Sequence, residues 1–136
     1  RLTDSYYHHP YIHSTVHLFT FTATLASAVA TASAAGCYSE TGPGWGDLRQ
    51  AANNAADAVC NGDSGGVAGD FDGNSKYACL NLGETMKAEF WVTGTGSLSD
   101  QDCKFGLKEE INGCGRGGEN THGSFYYRSD PNDGQC

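Results

Sequence analysis

The sequence predicts a small α+β domain held together by disulfides. Three observations predict it. All six cysteines lie beyond residue 36. Two segments repeat small or apolar residues at helical spacing, and several short runs alternate with the period of two that a half-buried strand requires. The cysteines Cys37, Cys60, Cys79, Cys103, Cys114 and Cys136 contain no Cys-x-x-Cys pair. That spacing speaks for three cross-links rather than a zinc site or a redox motif. The pairing stays open, with Cys114 to Cys136 suggested because both stand outside regular elements.

Residues 1–35 read as an export leader. Leu18 to Ala32 is a small and apolar run broken by threonines and one serine, and it leads into Ala32-Ser33-Ala34, the small-x-small pattern of signal-peptidase cleavage. The run is too short and too rich in hydroxyls for a membrane span, and no later stretch reaches the apolar length required. The expectation is a secreted, extracellular product without membrane insertion, with one domain at 36–136. His8, His9, His13 and His17 fall in the leader, so their clustering reads as part of a removed segment rather than as a metal site. Net charge is −8, and within the leader Asp4 is offset by Arg1, so the domain carries all of it. Such a surface repels nucleic acid and anionic membrane and favours a neutral partner.

The domain opens on a short extended stretch, Cys37-Tyr38-Ser39, and a Gly-Pro-Gly-Trp turn. Asp47 can then cap a helix with Leu48, Ala51, Ala55 and Val59 on one stripe, ended by Asn61-Gly62. Val67 to Phe71 and Lys76 to Leu82 read as two strands joined by a hairpin turn at Asp72-Gly73. Met86 to Thr93 alternates, with Ala88, Phe90 and Val92 on one face and Lys87, Glu89 and Trp91 on the other. Ser99 with Asp102 three residues on forms a capping box in its aspartate variant. It opens a helix with Cys103, Leu107, Ile111 and Cys114 on one face, stopped by Gly113. A glycine-rich loop, 113–123, precedes a last strand, Ser124 to Ser129, with Phe125 and Tyr127 opposite Tyr126 and Arg128. Asp130-Pro131-Asn132 then turns the chain out. The order is β-α-β-β-β-α-β, with about five strands in a mainly antiparallel sheet and two main helices to cover it.

Little in this inventory does chemistry. His122 is the domain's single histidine. It could pair with Ser124 or Ser64, but neither serine sits in a Gly-x-Ser-x-Gly elbow. The carboxylate pairs have structural explanations: Asp70 and Asp72 flank the turn, Asp100 and Asp102 suit a helix N-terminus, and Glu109-Glu110 read as a solvated helix face. Asp70 to Asn74 matches a calcium loop only in part, because its glycine comes fourth rather than sixth. Gly115-Arg116-Gly117-Gly118 lacks the lysine and the strand-loop-helix order of a phosphate cradle. No catalytic residue, metal or cofactor is expected.

Binding without catalysis fits better. Sugars are held by aromatic rings against the apolar face of a pyranose and by fixed polar forks on its hydroxyls and N-acetyl amide. Of the candidate rings Trp45, Trp91, Tyr126 and Tyr127, the pair Trp91 and Tyr126 suit a ligand best, whereas Trp45 can close the first helix and Tyr127 and Phe125 face the core. The candidate forks are Arg116, Glu119, Asn120, His122 and Arg128. The competing readings are a secreted effector or toxin acting on a protein target, and a small hydrolase built on His122 or a carboxylate pair.

Two segments carry a resemblance: Glu110-Ile111-Asn112-Gly113-Cys114-Gly115-Arg116-Gly117-Gly118, and Phe125-Tyr126-Tyr127-Arg128-Ser129-Asp130-Pro131-Asn132-Asp133-Gly134-Gln135-Cys136. From Gly36 onward the chain resembles the small secreted mushroom lectins of the type also described as tobacco mosaic virus resistance proteins. The tail is shared too by secreted fungal proteins of unknown role. The resemblance implies an α/β/α sandwich and a homodimer joining two five-stranded sheets edge to edge. It further implies recognition of N-acetylgalactosamine-containing glycans, within a broader N-acetylhexosamine (GalNAc/GlcNAc) class, near the dimer cleft.

Overall fold

The computed structural model describes residues 36–39, 41–61 and 66–136. The expected leader, residue 40 and residues 62–65, including Ser64, lie outside the described residues. A 3-10 turn, Gly46–Leu48, runs into helix α1, Arg49–Val59. Strands β1, Gly69–Asn81, and β2, Met86–Leu98, follow, then helix α2, Asp100–Gly113, and strands β3, Gly118–His122, and β4, Phe125–Asp133. The fold is α+β, and the sheet runs β1-β2-β4-β3 with every neighbouring pair antiparallel.

Among the described residues four strands stand where about five are expected. Cys37 makes one isolated bridge, to Gly118, and no strand. The two stretches expected to form a hairpin about Asp72-Gly73 are a single strand. Asp72 pairs with Thr95 and Ser75 with Thr93, so one extra residue is accommodated as a bulge. Gly73 takes φ +99° there, the left-handed backbone that a turn or a bulge can both use. The chain reverses instead after Asn81, where the Leu82 N–H donates to the Met86 carbonyl at 2.9 Å. Gly118–His122, expected to be loop, pairs along its length with β4. Asp130-Pro131-Asn132 continues β4 instead of leaving it. β3 ends at Gly118↔Ser129, so Pro131 lies where one flank of β4 has become an edge and a missing N–H is tolerated.

The core explains why the helices sit where they do. Ala52, Ala55, Ala56 and Val59 of α1 and Cys103, Leu107 and Ile111 of α2 bury against Ala88, Phe90, Val92 and Tyr127 of the sheet, with Trp45 completely enclosed. This is the alternation expected of Met86 to Thr93. Both helices use the same face and touch one another, so the described residues form two layers rather than a sandwich of three. The alanines let α1 approach closely. Asp47 does not cap it: the chain enters through Trp45, whose N–H donates to the Gly115 carbonyl at 3.0 Å, and no side chain caps Leu48. The Ser99 cap forms as expected, its Oγ accepting from the Asp102 N–H at 3.1 Å and donating to the Asp102 carboxylate at 2.7 Å.

Three cystines close this arrangement: Cys37–Cys114, Cys60–Cys103 and Cys79–Cys136. The suggested Cys114–Cys136 pair is therefore corrected. Cys114 ends α2 facing inward against Gly118, next to the point where Cys37 bridges that glycine. Cys136 follows β4 back along the sheet to β1, where its N–H donates to Asn81 Oδ1 at 2.8 Å. With loops of 43 to 77 residues, each bond contributes about 4 kcal/mol in the chain-entropy account.

Peptide mapping without reduction should recover these three pairs, and recovery of a Cys114–Cys136 peptide would contradict the topology. Close contact between α2 and β4 makes a second expectation. A Cβ at Gly106 would stand 2.5 Å from the Tyr127 ring, whereas one at Gly83 meets nothing. Gly106→Ala should cost about 1–3 kcal/mol in urea melts through overpacking, with Gly83→Ala near neutral.

Candidate functional site

The sheet face away from the helices carries the polar alternation of every strand. Register places Tyr77 opposite Trp91, Trp91 opposite Arg128, and Arg128 opposite Glu119, one row across four strands. The Tyr77 and Trp91 rings are 5.0 Å apart. The Arg128 guanidinium lies 4.3 Å from the Trp91 ring centre and 5.4 Å from that of Tyr38, which the N-terminal segment lays beside it. Arg128 Nη2 donates to Asp130 Oδ2 at 2.6 Å. Its Nε is buried without a hydrogen bond, so ring stacking is what holds that part of the side chain.

Hydrogen bonds fix the neighbours of this row. The Tyr38 hydroxyl donates to Glu119 Oε2 at 2.7 Å, and the Tyr126 hydroxyl bonds the same carboxylate. The Tyr77 hydroxyl donates to Glu89 Oε1 at 2.6 Å, Asn132 donates to Glu89 Oε2 at 2.8 Å, and Lys87 pairs with Glu89 at 3.2 Å. Beside the row, Tyr38, Pro43, Arg116, Arg128, Asp130 and Asn132 border a cleft of ≈ 220 Å³. Arg116 spans its rim by donating from Nη1 to the Gly42 carbonyl.

These bonds move the titrations. Hydrogen bonding to Glu89, and then burial, push the Tyr77 phenol up to about 12. Burial, and then Glu119, do the same for Tyr126, to about 12, and burial with Glu119 raises Tyr38 as well. The bonds from Tyr38 and Tyr126 hold Glu119 below the usual carboxylate range. Burial alone would raise Glu89, but the bonds from Tyr77, Lys87 and Asn132 together lower it.

Of the residues expected to bind, Trp91, Glu119, Tyr126 and Arg128 share this face and Arg116 borders the adjoining cleft. Asn120 and His122 do not join them, because alternation along β3 turns them toward the helices. Asn120 Oδ1 accepts from the Thr121 N–H at 2.8 Å. His122 Nε2 lies 3.7 Å from both Glu109 and Glu110, an ion-pair separation too long for a hydrogen bond. Glu110 is completely buried, with neither oxygen hydrogen-bonded, which corrects its reading as solvated; burial raises its carboxyl, against the lowering effect of His122. Trp45 is core and not a ligand ring. Tyr38, Tyr77, Glu89 and Asp130 were not anticipated. Tyr77 and Glu89 follow from strand alternation once β1 and β2 are in register, and Asp130 once β4 is seen to continue, whereas nothing local marks Tyr38. Among the described residues no cluster of three potential metal ligands occurs and no helix is long and apolar enough to cross a membrane.

No family model, curated protein or solved structure matches the chain.

The raised phenols predict an alkaline limit. The unfolded chain loses phenol protons near pH ~10, while the folded protein keeps those of Tyr77 and Tyr126 to about 12. This stabilisation is complete below about pH 10 and is lost as pH rises toward about 12. Ultraviolet titration should show phenols ionising late, and urea midpoints should stay level up to about pH 10 and fall between about pH 10 and about pH 12. Glu119 has the opposite sign, its contribution being present above about pH 4.3 and lost on acidification.

Proposed function

We propose that the domain is a secreted lectin that binds N-acetylhexosamine-containing glycans without transforming them. The observation that carries the reading is the Arg128 guanidinium held against the rings of Trp91 at 4.3 Å and Tyr38 at 5.4 Å, with Tyr77 packed beside Trp91. A pyranose needs an aromatic surface bordered by immobile hydrogen-bonding groups. Arg128, Glu119 and Arg116 are such groups, already oriented by Asp130, Tyr38 and the Gly42 carbonyl. Prior fixation lowers the ordering cost of binding. The resemblance to mushroom lectins points to the same ligand class and to a homodimer. The free edge of β1 in the sheet order supports the latter, since an unpaired strand is a template for another. Two sites on one particle would convert modest single-site affinity into avidity on a glycan-dense surface.

A glycan array with oxidised protein should give selective signal for N-acetylhexosamine structures. Trp91→Ala and Arg128→Ala should each weaken it about tenfold or more, ~1.4 kcal/mol. A silent array from folded protein, or variants that bind unchanged, would remove this reading. Capture of a protein from deglycosylated cells would then favour an effector acting on a protein target.

A further inference from the structure

On the other side of the sheet, α2 and the β3–β4 hairpin enclose a cleft of ≈ 350 Å³, within the size range of small-molecule sites. Its walls are rings: Phe105 of α2, Phe125 and Tyr127 of β4, and His122 at the end of β3. Phe105 and Tyr127 stand 6.0 Å and 5.8 Å from the His122 ring centre. Phe105 is 58 % exposed, so it forgoes much of the ~1.5–3 kcal/mol that burying such a side chain contributes. The fold makes no use of that surface.

The polar side chains lining this cleft are Ser97, Asp102, His122 and Ser124, of which Asp102 alone is a carboxylate. Asp102 lines it, with Oδ2 engaged by the Ser99 hydroxyl and Oδ1 remaining. Glu109 and the buried Glu110 both face His122 Nε2 at 3.7 Å. Asp102, Phe105 and Glu109 follow one stripe of α2. Lys104 and Lys108 lie on a neighbouring stripe, where Lys108 is engaged by Asp57 of α1 at 2.6 Å. The cleft therefore offers aromatic surface and the Asp102 carboxylate, with no lysine or arginine among its lining residues.

We propose that this cleft is a second ligand site, separate from the glycan face, for a small cationic aromatic amine whose ring packs among Phe105, Phe125 and Tyr127 and whose ammonium group meets Asp102. Ring faces favour both the flat group and the charge it carries, and the carboxylate supplies a charge-assisted hydrogen bond.

Tryptamine titrated into the oxidised full chain, followed by amide NMR, tests the site, with the neutral alcohol tryptophol as comparison. Saturable shifts are expected at Ser97, Leu98, Phe105 and 122–127. Phe105→Ala, a change at an exposed position, should weaken tryptamine about tenfold or more. Asp102→Asn, which keeps a short polar side chain at the helix start, should abolish the preference for tryptamine over tryptophol. Unsaturable binding, shifts centred on Trp91 and Tyr38, an unaffected Phe105→Ala protein, or equal affinity for amine and alcohol in the unaltered protein would each overturn the proposal.

Discussion

The Cys60–Cys103 bond joins the end of α1 to the first turn of α2 with both sulfurs fully buried, and the layering of the molecule follows from it. A domain of roughly a hundred residues buries too little surface to be generous with stability. Locking the two helices together lets them act as one cover over Ala88, Phe90, Val92 and Tyr127. The other two cystines secure the segments that lie outside this cover, Cys37 beside β3 and Cys136 against β1. Crosslinking is thus distributed so that each border of the sheet is held.

Because both helices occupy one face, the other is released from packing and becomes available to polar and aromatic groups. Strand alternation then does the positioning: Tyr77, Trp91, Arg128 and Glu119 reach the same row from four different strands. The Tyr38 hydroxyl completes the row from outside the sheet, and it depends on the Cys37–Cys114 bond one residue away. Stability and site geometry are coupled there, since the same cystine tethers the segment whose Tyr38 ring flanks Arg128.

Much of the fold was legible where local pattern and tertiary packing agree. Ala55 and Val59 of the expected α1 stripe, the Ser99 cap and the alternation of Met86 to Thr93 all match what the structure contains, whereas Ala52 and Ala56 take the buried places expected for Leu48 and Ala51. So does the opposition of Phe125 and Tyr127 to Tyr126 and Arg128, which puts those two expected site residues on the face that Trp91 shares. Legibility ended where the same local chemistry serves two ends. Asp72-Gly73 suits a turn or a bulge, and the choice is made by how far β2 extends to pair. Gly118–His122 has poor strand propensity and becomes a strand because β4 offers it an edge. Glu110 lies beside Ile111 and one turn from Leu107 on the buried side of α2, where its charge disguised the periodicity. Cystine pairing depends on which chain ends meet, information that spacing does not hold.

The bulge between Asp72 and Ser75 also limits what the outer edge of β1 can become. A long flat strand left unpaired invites indefinite stacking of copies, but a bulge bends the backbone and tightens its twist. An incoming strand finds regular spacing only in two short stretches, Gly69 to Asp72 and Ser75 to Asn81, so continuous pairing along the whole edge is interrupted.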